Sequence, residues 1–430
     1  MKTQTPRQLT LVTTLILAAS AAFAQTPSDP PPPSDQPQQP APDGGTMFQA
    51  QRHHFQPRAM AAPVGPPKFG DPLPGLAPDQ LALFAAGKDE FEAVEDIEGG
   101  LGPTFNNVSC VSCHASGATG GGGPITVTRF GRVSGAGFDP LAALGGSLLQ
   151  QNAIDPGVQE IIPPQANVVV HRQSTPLFGL GLIEAIPDQD ILRGATRKPI
   201  DGIAGRAAMV TDVVSGKLRV GRLGWKAQQA TVLAFAGDAY LNEMGVTSRF
   251  FPTENAPNGD TARLAQFDQF ADPEDEVDPA TGKGDIDAAA DFMRFLAPPP
   301  PLPLTQAATA GRATFQQINC AVCHTPVLTT GPNPILALSQ KQVALYSDLL
   351  LHDMGLLGDG VAQAAASPRE MKTPPLWGLR ASGPYLHDGR AATVDEAIRA
   401  HDGEAASTRE RYLRLRPLQR DQLIEFLNSL

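Results

Sequence analysis

Every cysteine in the chain belongs to one of two copies of the same five-residue pattern, Cys110-Val-Ser-Cys113-His114 and Cys320-Ala-Val-Cys323-His324. Two thiols separated by two residues, with a histidine directly after, suit covalent haem attachment. The thiols form thioethers along one edge of the porphyrin, and the histidine reaches the iron from the proximal side. Two other uses of these residue types stand beside that one. Zinc also takes cysteine and histidine. A Cys-x-x-Cys pair can cycle as a dithiol, but that needs no histidine and expects a βαβ setting. The haem pattern occurs twice and leaves no cysteine over, so two c-type haems are the expectation. His114 and His324 are then the proximal ligands, and Cys110, Cys113, Cys320 and Cys323 the covalent anchors.

The sixth ligands decide what such haems do. An iron with two protein ligands mainly moves electrons, whereas an iron with an open position binds small oxidants. The chain has eight histidines. His401 follows a short predicted helix opened by a Thr393/Glu396 capping box and stopped near Gly403. From there it could face the second haem, or simply complement the helix dipole. Near the first motif only His171 is spare, and no Met or Tyr lies between Gly65 and Ala208. Glycines 120–123 after the motif leave room on one face. An open first haem is therefore expected, with His171 as its sixth ligand, or as an ordinary surface residue, the readings left beside it.

The elements that must position these groups recur in order. Each half has an opening helix ("AAGKDEF", 85–91; "TAGRATF", 309–315), a Cys-x-x-Cys-His, a Thr-Pro turn ("STPLFGL", 174–180; "KTPPLWGL", 372–379) and a closing helix ("DAAADFMRFLAPP", 287–299; "RDQLIEFLNSL", 420–430). The closing helices carry apolar residues three and four apart, such as Leu423, Phe426, Leu427 and Leu430. This predicts a mainly α fold of two cytochrome c-like helical domains, 76–298 and 304–430, each carrying one covalent haem. An insertion between about Asp188 and Asp285 enlarges the first. "PPPPLPL" (298–304) is the stiff divider.

Residues 1–24 read as a signal peptide: Lys2 and Arg7, a short apolar run, then Ala22-Phe23-Ala24. Residues 25–75 read as a Pro-rich disordered tether. Together they predict a periplasmic protein. No later segment has the length and apolarity of a transmembrane span. The net charge of −11 and the lack of basic runs exclude nucleic acid as an expected partner.

The phrases "GLGPTFNNVSCVSCH", "TPLFGLGLIEAIPD", "GRLGWKAQQATV", "SDLLLHDMG", "MKTPPLWGLRASGPYLHDGRAATVDEAI" and "HDGEA" resemble the di-haem cytochrome c peroxidase superfamily. More closely they resemble its di-haem oxidoreductase branch, also called thiol oxidoreductases. The resemblance runs from about residue 76 to the end. It implies a di-haem oxidoreductase with electron entry at the C-terminal haem and peroxide-type chemistry at an open N-terminal haem. It implies as partners a small electron-donor protein or quinol-linked cytochrome, and hydrogen peroxide or another small oxidant. It places His401 where the peroxidases usually have Met, and a histidine there should lower that haem's potential. A calcium ion between the halves is a further implication, although no contiguous oxygen-ligand loop marks it.

Within these phrases Glu184 is the candidate acid/base, because an acid in an apolar run is costly unless used or paired; a capping or ion-paired Glu is its bland alternative. Arg172 could hold an oxyanion or a haem propionate. Trp225 could relay electrons between haems or be ordinary core. A pure electron-transfer di-haem cytochrome and a haem oxygenase using O2 are the competing functions. Thiol chemistry itself has little support, since no cysteine is left free for it.

Overall fold

The computed structural model describes residues 66–270 and 274–430, so the signal-peptide and most of the tether reading lie outside the described residues. Residues 66–75, placed by composition in the tether, are packed in place. Leu73 is buried and its N–H donates to Phe295 O at 2.7 Å.

The repeated landmarks become two helix pairs. The main helices are α1 (Pro78–Glu92), α2 (Val232–Ala239), α3 (Asp285–Phe295), α4 (Gln306–Gln317), α5 (Val394–Ala400) and α6 (Pro417–Asn428). In the first half α1 packs on α3, and in the second α4 packs on α6. Each opening helix carries one glycine at its crossing. A Cβ at Gly87 would lie 2.1 Å from Ala288 O, and one at Gly311 would lie 1.9 Å from Gln422 O. Backbones this close admit no side chain. Phe292 seals the first crossing, its ring centroid 5.2 Å from that of Phe84 and 4.9 Å from that of Phe91.

Two apolar cores follow from the two pairs. The larger lies around α1, α2 and α3, and the smaller around α4 and α6, built on Phe315, Leu423 and Phe426. The larger core also takes Leu345, Leu349, Leu350 and Trp377 from the second half. The halves thus share apolar contacts rather than standing apart.

The mainly α expectation is wrong. Helix accounts for 35% of the structure and strand for 16%, in several sheets. The principal strands are β1 (Thr126–Ser134), β2 (Gly137–Asp139), β3 (Leu148–Leu149), β4 (Val168–Gln173), β5 (Ala208–Asp212), β6 (Lys217–Gly221), β7 (Leu351–Asp353) and β8 (Glu370–Lys372). β1 pairs antiparallel with β2, β3 and β4, and β5–β6 and β7–β8 are two further antiparallel pairs. The signal was in "VVVHRQ" and in the period-two register of β1, but Arg129, Gly131 and Arg132 interrupt its apolar alternation. β1 and β4 lie before Asp188, so strand also fills the segment between the first Cys-x-x-Cys-His and its Thr-Pro turn.

Candidate functional site

Each Cys-x-x-Cys-His sits on a single helical turn beside a large cavity. The cavity at the second motif is lined by Cys320, Cys323, His324 and His401, and that at the first by Cys110, Cys113 and His114. They hold about 2110 Å³ and about 1180 Å³ of non-atom space, mouths included.

The histidines are oriented alike. His114 Nδ1 is 3.0 Å from Gly121 O, and His324 Nδ1 is 3.0 Å from Tyr346 O. His401 Nδ1 is 2.8 Å from Ala397 O. A carbonyl can only accept, so each Nδ1 carries the proton and each Nε2 keeps its lone pair. That is the arrangement that fixes metal-binding imidazoles. Burial strengthens it, pushing His114 and His324 down to about 4 and lowering His401 as well, so all three are neutral.

The glycines after the first motif serve this hydrogen bond rather than leaving room. The segment folds back over the motif, and a Cβ at Gly121 would lie 1.9 Å from Ser116 O. One at Gly123 would lie 2.4 Å from Cys113 O.

At the second cavity the capping box forms as expected. Thr393 Oγ1 accepts from Glu396 N at 3.1 Å, and Glu396 Oε2 accepts from Thr393 N at 3.1 Å. α5 then ends at Ala400, and His401 is its cap residue, its carbonyl held by Arg409 Nη1 at 2.9 Å. The rings of His324 and His401 have centroids 6.5 Å apart. Two imidazoles sharing one metal at about 2 Å each, with ring centres roughly 1 Å behind the ligating nitrogens, stand about 6 Å apart. The pair therefore fits a six-coordinate iron. His352 is not free to join them: Asp348 Oδ2 at 3.0 Å and Glu404 Oε2 at 2.8 Å hold its two nitrogens, and these carboxylates overcome burial to push it up to about 12. Lys372 is buried at the cavity with one carbonyl partner, Thr373 O at 3.2 Å, and burial pushes it down to about 8. It fits an anionic group such as a propionate.

The first cavity differs. Among the described residues, His114 is the one histidine in its lining; Met244 and Met293 are also there. His171 is exposed on β4, its Nδ1 3.3 Å from Thr128 Oγ1, and lines neither cavity. One face of β1 brings Val127 and Arg129 to the cavity, and β4 brings Arg172. Arg129 Nε is buried without a hydrogen-bond partner, and burial, with Arg172 nearby, pushes Arg129 down to about 10. Arg172 pairs with Asp359 at 2.6 Å, which also takes Lys226 Nζ at 2.9 Å. One carboxylate between two cations leaves excess positive charge, and this suits the propionate reading of Arg172.

Glu184 is not at either cavity. It accepts from Val232 N at 2.7 Å, capping α2, and from Arg294 Nε at 2.9 Å. The acid in the apolar run is paired, and it lines neither cavity. Two acids do line the first cavity, Asp238 and Glu243, and the sequence reading missed Glu243. It sits in a π-helical turn, Tyr240–Met244, at the end of α2. Such turns often mark functional sites. Asn106 Nδ2 donates to Glu243 Oε2 at 2.9 Å, and burial raises the proton affinity of this carboxyl despite Arg129.

Trp225 lines both cavities. Its Nε1 donates to Gln173 O at 2.8 Å, and its ring meets that of His387 edge-on at 6.3 Å. Trp377 packs over Gly179 in the core.

The other uses of the cysteines do not fit. All four are unpaired, and burial pushes the Cys113 thiol up to about 11 and Cys320 to about 12, whereas exchange-active thiols are acidic. Among the described residues, no three His, Cys, Asp or Glu side chains are grouped to hold a metal ion, so neither a zinc site nor the calcium expectation gains a ligand set.

Solved structures similar to the chain include the diheme peroxidase BthA from Burkholderia thailandensis (16% identity, 81% of this chain and 85% of that one, TM-score 0.38). Hydrazine synthase from Kuenenia stuttgartiensis is another (15%, 87% and 100%, 0.37). A MauG-like protein associated with microbial copper homeostasis is a third (16%, 59% and 89%, 0.29). No curated protein matches the chain. The family profile described as "Di-haem oxidoreductase, putative peroxidase" matches residues 164–430. Most of the chain is thus covered, and the protein belongs to the di-haem oxidoreductase family.

Proposed function

We propose that this di-haem oxidoreductase is a periplasmic c-type protein that takes electrons in at the second site and reduces hydrogen peroxide or another small oxidant at the first. One asymmetry carries the reading: two facing histidines at the second cavity and, among the described residues, a single histidine at the first. Bound haem supplies an iron that exchanges electrons and, where a coordination position is free, takes a small oxidant.

The chain's own residues do the rest. Cys110 and Cys113, and Cys320 and Cys323, anchor the two groups. Gly121 O and Tyr346 O hold His114 and His324 in the tautomer that ligates. Arg129, Arg172 and Lys372 would hold the propionates. Glu243, held by Asn106 in a cavity that raises its proton affinity, takes and returns a proton at Oε1 or Oε2, the work needed to cleave an O–O bond. Trp225, common to both linings, carries electrons between them. A small electron-donor protein or quinol-linked cytochrome supplies those electrons.

Cyanide titration of the oxidised protein tests the asymmetry. One equivalent per chain should bind rapidly. Two equivalents or none would contradict it.

A further inference from the structure

Beside the first cavity lies a hydrogen-bonded pair that the proposed reaction does not use. Tyr240 opens the same π-helical turn that carries Glu243, is 2% exposed, and lines the cavity with Cys110 and His114. Its Oη donates to Glu90 Oε1 at 2.8 Å. Glu90 comes from α1, one residue before Phe91, whose ring meets that of His114 at 6.1 Å. A phenol at a redox cavity is easily oxidised only if its proton has somewhere to go, and here a carboxyl waits on the hydroxyl.

Glu90 is not alone. Asp285, Glu95 and Asp275 act on it electrostatically. Burial first, then Asp285, pushes Glu90 up to about 8, and the same two causes push Glu95 to about 7. This cluster changes its proton occupancy near neutrality, and Glu90 and Glu95 are only half-buried. It can take a proton at Glu90 and release one to water. The other buried tyrosine, Tyr412, also donates to a carboxylate, Asp395, but lines neither cavity.

We propose that Tyr240 is a one-electron donor to the first haem site, with Glu90 as the acceptor of its proton. The inference rests on the peroxide reading above. Hydrogen peroxide is the oxidant: it takes two electrons and two protons and leaves as two waters. Tyr240 would supply one electron and the second site, by way of Trp225, the other. At Tyr240 the Oη–H bond breaks, the proton passes to the Glu90 cluster and on to water, and a neutral phenoxyl radical remains. The next electron from the donor reduces the radical, and a proton taken up from water through Glu90 returns to Oη, restoring the phenol. Tyr240 would hold an oxidising equivalent while the second site is waiting to be reduced.

The test is freeze-quench EPR of the haem-loaded protein after mixing with hydrogen peroxide, with the optical spectrum followed in parallel. An organic radical should form whose hyperfine structure collapses when the protein is grown on ring-deuterated tyrosine. Tyr240→Phe, which keeps the ring and its packing, should lose that signal. Glu90→Gln, which keeps a hydrogen-bond acceptor but cannot take the proton, should form the radical more slowly and lose the solvent deuterium effect on its rise. Peroxide consumption at the haem with no tyrosine radical, or with the same signal in Tyr240→Phe, overturns the inference and leaves the peroxide reading standing. An unchanged isotope effect in Glu90→Gln overturns the part given to Glu90. No optical response to peroxide at either haem overturns both.

Discussion

His324 and His401 face one another with ring centroids 6.5 Å apart, each with its Nδ1 on a backbone carbonyl. The spacing suits one iron between them, and the carbonyls leave both Nε2 atoms available. His401→Ala should therefore turn the second haem high-spin in the oxidised protein. His401→Met should return it to low spin at a higher potential, since Met raises it. Optical and EPR spectra with a redox titration check both. A low-spin signal that survives in the Ala variant would move the ligand to Met354 or Met371, which line the same cavity.

Covalent attachment is read from the cysteines. Cys110→Ala should weaken or abolish attachment at the first site alone, and Cys320→Ala at the second alone. Intact mass after acid-acetone extraction reports it. Complete extraction of haem from the unaltered protein would contradict covalent binding.

The two acids separate cleanly. Glu243→Gln keeps the shape and the Asn106 contact but cannot carry a proton, so it should slow peroxide consumption by about two orders of magnitude or more. Glu184→Gln should leave that rate unchanged. It weakens the cap on α2 and the Arg294 pair, and should lower stability by about 1 kcal/mol in a denaturant titration. The reverse pattern would return Glu184 to the mechanism.

What the chain revealed before folding was what lies close along it. The Thr393/Glu396 box is local and forms as read, and the Cys-x-x-Cys-His motifs, also local, are each a single helical turn. The rule that an acid in an apolar run must be used or paired also held for Glu184, but its partner Arg294 is 110 residues away. Glu243 was hidden because a π-helical turn, which has no sequence signature, aims it at the cavity. The β-sheet was hidden because its strands carry Arg129 and Arg172 inward, to the lining of the first cavity, where the usual alternation would place apolar residues.

Acid should unfold the protein partly through its buried neutral histidines. Burial depresses His387 to about 4, against 6.5 unfolded. The unfolded chain then binds more protons between these values, so stability falls as pH drops from 6.5 to about 4 and is level again below. His387→Gln cannot take that proton. Relative to the variant, the unaltered protein should lose up to about 3 kcal/mol across this window. Parallel melting curves of the two proteins would rule out this contribution.

The central claim is that the two sites differ, one closed by two histidines and one open. EPR of the oxidised protein, read with its optical spectrum, tests this most directly. One low-spin and one high-spin haem per chain is the predicted result. Two low-spin haems would contradict it, and would make the protein an electron carrier without an open site.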